Sequence, residues 1–138
     1  MKRCQACEDP CAVQANLCGA CARIRDRFGS GKPARTAALV QARDPHLKAF
    51  VCHYSGVTLD VRDSGSPWYL SFDHRTPGDE SSLVVCAASV NAMKGCHTEP
   101  EFRRLVVQLA ERFDGKRERI EVFQPEHWPA RRPRREHV

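Results

Sequence analysis

The apolar residues of this chain recur at short, changing intervals, which predicts a mixture of strands and helices. Apolar and polar residues alternate over 57–61, as in a half-buried strand, and 68–73 is predicted to be a second strand that pairs with it. The apolar segment 83–85 leads into a predicted helix over 87–94, which Gly95 ends. The predicted fold class is therefore α+β.

A further helix is predicted to begin near residue 98. Residues 98–101 read Thr-Glu-Pro-Glu, which is a capping box with a proline in the first turn. Behind it, apolar residues at helical spacing predict one buried stripe, formed by Phe102, Leu105, Val106, Leu109 and Phe113. Gly115 is expected to end this helix, and 120–123 to form a final strand or an arm that packs on the domain.

The two ends of the chain differ from its middle in composition. Residues 1–31 are rich in cysteine and poor in large apolar residues, so they cannot build a hydrophobic core of their own. A linker or short helix is expected over 32–49, where Pro45 interrupts a weak helical period. The main domain is predicted over 50–123. The Pro- and Arg-rich tail over 124–138 is expected to be extended or disordered.

The charge of the chain permits a nucleic acid partner without requiring one. The 22 Lys and Arg residues outnumber the 17 Asp and Glu residues, which gives a net charge of +5. This excess fits a polyanion, and it equally fits solvated arginine-rich faces. No apolar run approaches a membrane span, and the N-terminus lacks the apolar stretch of a signal peptide. A cytoplasmic location without a membrane partner is therefore expected.

The spacing of the N-terminal cysteines predicts a structural zinc ion. The chain has 8 cysteines, and disulfides are disfavoured in a reducing compartment. Two Cys-x-x-Cys pairs supply the tetrahedral set of thiolates that zinc prefers, and the predicted ligands are Cys4, Cys7, Cys18 and Cys21. Cys11 is interpreted as a spare buried thiol. This zinc knuckle would either grip the DNA backbone through nearby basic residues or cap the main domain, and the sequence leaves both roles open.

The stretch 69–94 carries the most informative pattern. A strand ends in Asp73-His74, a loop and a short apolar strand follow, and a helix carries Asn91 with Lys94 three residues later. This order resembles the motif of HNH endonucleases, also called the ββα-metal or His-Me finger family.

Two flanking segments extend the resemblance to nearly half of the chain, over 50–113. Residues 52–56 read Cys-x-Tyr-Ser-Gly and are similar to the opening of many HNH domains. Residues 98–102 are similar to the Thr-x-x-Glu-Phe helix that often follows the motif. The resemblance implies a ββα-metal core with flanking helices.

The resemblance also implies a role for each residue of the motif. His74 would be the general base that activates water, and Asp73 and Asn91 would hold one divalent ion, Mg²⁺ or another such as Mn²⁺. Arg75 and Lys94 would contact phosphate. Ser82 stands where the family usually has the asparagine that orients the histidine, and a serine hydroxyl or backbone carbonyl could still hold the ring.

Neighbouring strand residues point to opposite faces, so Asp73 and His74 cannot both face a metal from a regular strand. The family bends the chain at this point, and the same bend is expected here.

A second structural zinc site of the family is degenerate in this sequence. The four ligand positions hold Cys52, Ser55, Cys86 and Ser89, and a neutral hydroxyl is a poor zinc ligand. No zinc is therefore predicted there, and Cys52 and Cys86 are expected to lie close together. A site rebuilt with Cys96 and His97 stays open as an alternative.

The predicted function is a metal-dependent DNA endonuclease from a phage, homing, nicking or restriction context, and a homodimer is possible. The alternative is a nucleic-acid-binding zinc protein that keeps the HNH fold with weak or no catalysis. A third hypothesis is a zinc-stapled adaptor whose arginine-rich tail binds an acidic protein.

Overall fold

The computed structural model describes residues 2–12, 16–29 and 32–128. The chain is α+β, with short antiparallel strand pairs and helices along the described segments. It divides between Met93 and Lys94 into two compact units, which are described separately below.

The first unit opens with a small cysteine-rich module. Strand β1, Lys2–Arg3, pairs antiparallel with β2, Pro10–Cys11, and helix α1 spans Gly19–Gly29. The turn between the strands is closed by the backbone N–H of Cys4, which donates to the Asp9 carbonyl over 2.8 Å. The buried side chains of this module are those of Cys4, Ala6, Cys7, Leu17 and Cys21. Cysteines thus stand where a larger domain would have a hydrophobic core.

Helix α2 connects this module to the main core. It spans Pro33–Ala42, with proline in its first turn, and it buries Ala38 and Leu39. Of the two alternatives expected over 32–49, a linker or a short helix, the structure has a helix, which ends three residues before Pro45. A short antiparallel pair follows, formed by β3, Arg43–Asp44, and β4, Ala49–Phe50.

The main core of the first unit surrounds one antiparallel strand pair. Strand β5, Leu70–His74, pairs with β6, Leu83–Ala87, and helix α3, Ala88–Lys94, follows directly. A short 3₁₀ turn, Glu80–Ser82, precedes β6. Every residue of β6 is buried, and α2 packs against this strand. Gly95 takes a φ of 53°, as predicted for a glycine that ends a helix.

The predicted pairing of 68–73 with 57–61 does not extend beyond one isolated bridge, because β5 pairs with β6 instead. The segment 57–61 makes only isolated bridges, Val51 with Thr58 and Asp60 with Tyr69, in the described part of the chain. Its alternation reflects the burial of Leu59 and the packing of Val61 against the core, whereas Val57 is 39% exposed. The continuous apolar run of β6 is the pattern of a fully buried strand, and β6 is the partner of β5.

The second unit is built on helix α4, Glu99–Phe113. The predicted capping box is confirmed: Thr98 Oγ1 accepts from the Glu101 backbone N–H, and Glu101 Oε1 accepts from the Thr98 N–H over 2.8 Å. The predicted buried stripe is only partly confirmed. Phe102 is buried, whereas Val106 is 41% exposed and Phe113 is 82% exposed.

An arm over 120–128 packs along α4 and forms no strand within these residues. Its backbone N–H groups at Glu121 and Glu126 donate to the side chains of Gln108 and Glu101. Gln108 is buried for this reason, although the apolar pattern did not include it. The rest of the predicted tail, 129–138, lies outside the described residues.

The longest helix among the described segments has 15 residues, and none of the described helices combines the length and apolar character needed to cross a membrane.

Candidate functional site

The four predicted zinc ligands lie together in the N-terminal module. Cys4 and Cys7 sit on the turn after β1, Cys18 precedes α1, and Cys21 lies in its first turn. Their sulfur atoms all lie within 4.8 Å of one another, and the Sγ atoms of Cys7 and Cys18 are 3.6 Å apart. A tetrahedral zinc with Zn–S bonds near 2.3 Å sets its sulfurs roughly 3.8 Å apart. The cluster could therefore hold one zinc ion.

The thiols of this cluster have unequal acidities. Burial raises the pKa of Cys4, but hydrogen bonds from the backbone of Cys18, Cys7 and Ala6 outweigh it and lower the pKa to about 6. Burial raises the pKa of Cys7 and Cys21, and neighbouring thiols raise that of Cys21 further. Thiolates are the form of cysteine that binds zinc, and the surroundings of Cys4 favour its thiolate.

The two remaining cysteines of the degenerate site lie in the main core. Cys52 and Cys86 are both buried in the same cluster, and the Ala87 backbone N–H donates to Cys52 Sγ over 3.3 Å. Cys52 therefore contacts β6 beside Cys86, as the sequence predicted. Burial raises the pKa of Cys52, but hydrogen bonds from Ser55 and Ala87 outweigh it, so the pKa falls below its ordinary value.

Asp73 lies one residue before the end of β5 and is 8% exposed. The Tyr54 hydroxyl donates to its Oδ2 over 2.6 Å. Because Tyr54 belongs to the Cys-x-Tyr-Ser-Gly segment, this bond joins the flanking motif to the central one. The sequence motif did not assign a role to Tyr54.

The β5–β6 register is continuous through His74, which pairs with Leu83. The expected bend between Asp73 and His74 is therefore not present in the strand pairing. A regular ladder sends the two side chains to opposite faces of the strand. His74 is the last residue of the strand, so the two groups flank its end from either side.

Asn91 is fastened to the same strand from helix α3. Its Nδ2 donates to Ser71 Oγ over 2.8 Å and to the Phe72 carbonyl over 3.0 Å. Ser71 and Asp73 are two residues apart and thus share a face of β5. The Asn91 amide consequently lies on the face of β5 that carries Asp73, next to Ser71.

The imidazole of His74 has a carboxylate neighbour that the sequence did not identify. His74 Nε2 lies 3.1 Å from Glu80 Oε1, and their side chains are 34% and 76% exposed. Glu80 opens the 3₁₀ turn before β6. An acidic residue in a short loop after a histidine is too common a feature to have singled it out.

Ser82 shapes the loop between β5 and β6. It is buried, its Oγ donates to the Asp79 carbonyl over 2.7 Å, and its own carbonyl accepts from the backbone N–H and Nε of Arg75. The side chain is thus engaged with loop backbone, and its carbonyl directs Arg75. Lys94 is fully buried at the end of α3, so the phosphate contact predicted for it would require the side chain to become exposed.

The sequence matches no protein-family model, no curated protein and no solved structure.

Proposed function

We propose that this chain is a metal-dependent endonuclease that hydrolyses phosphodiester bonds in DNA. The observation that carries the proposal is the attachment of Asn91 to β5 beside Asp73, with His74 at the strand end. A carboxylate, an amide and an imidazole, the side-chain types that this hydrolysis needs, belong to one strand pair and one helix, with the imidazole at the strand end on the opposite face of β5 from the other two.

Asp73 and Asn91 are the residues that would hold the divalent ion. Carboxylate and amide oxygens are the ligands that Mg²⁺ and Mn²⁺ prefer, and the ion would supply positive charge to the scissile phosphate. Both bonds from Asn91 to β5 use its Nδ2, and in the described part of the chain no residue donates to its Oδ1. The Tyr54 hydroxyl donates to Oδ2 of Asp73 and so helps to hold the carboxylate in place.

His74 would act as the general base. A carboxylate at Nε2 favours the tautomer with its proton on that nitrogen, which makes Nδ1 the basic atom that takes a proton from water. Arg75, held by the Ser82 carbonyl, is the cationic side chain nearest to His74 in sequence and would contact a phosphate.

The test is a supercoiled plasmid assay with Mg²⁺, Mn²⁺ and Ni²⁺. Wild type is expected to nick or linearise the plasmid, and His74→Ala to lose the activity while keeping its melting temperature. His46→Ala is a matched control, because His46 is an exposed histidine in the turn between β3 and β4. An intact plasmid with every ion would contradict the enzyme proposal. Salt-dependent DNA binding without cleavage would instead favour the non-catalytic alternative.

A further inference from the structure

A basic groove lies in the first unit, away from the residues of the HNH-like motif. Its cavity volume is about 440 Å³, and its walls come from α1 on one side and from segments 43–50 and 59–62 on the other. Five of the residues that line it are cationic: Arg23, Arg27, Arg43, Lys48 and Arg62. None of the described residues that line it is acidic.

The helical wall presents its charges in one row. Arg23 and Arg27 are four residues apart on α1, so they lie on the same face of the helix, and both are exposed. Arg27 Nη2 lies 3.5 Å from the Tyr69 hydroxyl, which directs its guanidinium toward the main core. Arg27 is thus anchored to the body of the unit.

The opposite wall presents Lys48 and Arg62, which are also exposed. Lys48 makes an ion pair with Asp9 at 3.6 Å, and its side chain is 63% exposed, so water screens the pair and a stronger anion can replace it. Arg43 also lines the groove, with its guanidinium carbon 5.3 Å from the centroid of the Phe50 ring.

We propose that this groove binds the phosphate backbone of DNA and joins the zinc knuckle to the main core as one binding surface. The inference rests on the proposed function in one respect, since it takes DNA to be the polyanion. Cations on both walls of a concave surface suit a charged strand that passes between them, and arginine in particular binds phosphate oxygens. Contacts of this kind position the duplex without reading its sequence.

The experiment measures binding of a short fluorescent duplex by anisotropy over a series of salt concentrations, without added Mg²⁺ or Mn²⁺. One variant changes the helical wall, Arg23→Gln with Arg27→Gln, and a second changes the opposite wall, Lys48→Gln with Arg62→Gln. The control variant removes the same charge from the second unit, Arg103→Gln with Arg119→Gln, whose side chains are 72% and 81% exposed. Arg43 is left unchanged because its positive charge also acts on the Cys21 thiol, where it favours the thiolate.

Each wall variant is expected to weaken binding at least about tenfold at about 0.1 M salt and to reduce the slope of log K against log salt by about 2. The control is expected to leave both nearly unchanged. Zinc content and melting temperature show that each variant is folded, and the two wall variants test the groove independently. The proposal is overturned if both wall variants bind as wild type does, or if the control weakens binding equally.

The outcomes separate this inference from the nuclease proposal. If wild type cleaves plasmid while the wall variants bind DNA normally, the groove proposal is overturned and the nuclease proposal is supported. If wild type never cleaves plasmid but both wall variants weaken DNA binding, the nuclease proposal is overturned and the groove proposal is supported.

Discussion

The imidazole of His74 is held by a side chain that lies outside the residues of the sequence motif. Glu80 contacts Nε2, whereas Ser82, which stands at the position expected to orient the ring, forms hydrogen bonds with the loop backbone. A carboxylate on one imidazole nitrogen fixes the orientation and the tautomer of the ring. The group that contacts the ring is thus Glu80, which lies two residues before Ser82 in the loop.

We therefore predict that Glu80→Ala lowers kcat for plasmid cleavage by about 10- to 100-fold with little change in KM. Glu80→Gln should be intermediate, because the amide oxygen still accepts from Nε2 but carries no charge. The fold should be unaffected, since an exposed ion pair contributes less than about 1 kcal/mol to stability. Glu118→Gln is a suitable control because its side chain is 87% exposed. A Glu80→Ala protein with the kcat of wild type would show that Glu80 has no positioning role.

Asn91 stabilises the fold as well as serving the proposed site, and the two contributions are separable. Asn91→Ala removes the donor to the Phe72 carbonyl and to Ser71, which should cost about 1–3 kcal/mol in the free energy of unfolding. Ser71→Ala removes one of these bonds and keeps the other, so it should cost less and retain cleavage. Urea unfolding measures the stability of each variant. Equal losses in the two variants would mean that the bond to the Phe72 carbonyl contributes nothing.

Among the elements, local sequence patterns predicted the helices well and the strand pairing poorly. The capping box at Thr98 and the glycine at position 95 act through neighbouring residues, so the chain alone reveals them. The partner of β5 depends on the path of the loop after His74, which the alternation of apolar residues does not encode. The pattern over 57–61 consequently suggested a full strand pair with 68–73, where the structure has one isolated bridge.

The same distinction applies to the candidate site. The cysteine spacing and the Asp-His and Asn positions could be recognised, because they follow fixed intervals along the chain. Glu80 and Tyr54 could not, because each acts through a contact between segments that only the fold brings together. The groove is a stronger case, since its cations are spread over 23–62 with no common spacing.

The capping box of α4 gives a prediction about pH. Burial raises the pKa of Glu101, but hydrogen bonds from the Thr98 and Glu126 backbone outweigh it and hold the pKa below its ordinary value of 4.5. A carboxylate with a lowered folded pKa stabilises the protein above the unfolded pKa, and this stabilisation is lost as pH falls through the folded pKa. Glu101→Gln should thus be less stable than wild type at pH 7, and the difference should shrink below about pH 4.5. Chemical unfolding over a pH series measures it, and a difference that is unchanged in acid would contradict the assignment.

Across the first unit, the cysteine-rich module that we propose to be a zinc knuckle is connected to the candidate site through α2. Val40 of α2 packs against the cysteine cluster, and the same helix packs against β6. The knuckle has almost no large apolar side chains to keep it folded without metal, since its buried residues are mostly cysteines. Loss of zinc should therefore loosen α2 as well as the knuckle, and the basic groove would lose one of its walls.

We predict about one zinc per chain, and a lower melting temperature with weaker DNA binding once a chelator removes it. Cys18→Ser should reproduce both effects, because it removes one of the four clustered sulfurs. Cys96→Ser is the matched control, since Cys96 lies outside that cluster. Elemental analysis measures the zinc content, calorimetry measures the melting temperature, and fluorescence anisotropy measures DNA binding. A zinc content near two ions per chain would mean that Cys52 and Cys86 belong to a rebuilt second site. An unchanged melting temperature after zinc removal would mean that the knuckle folds without metal.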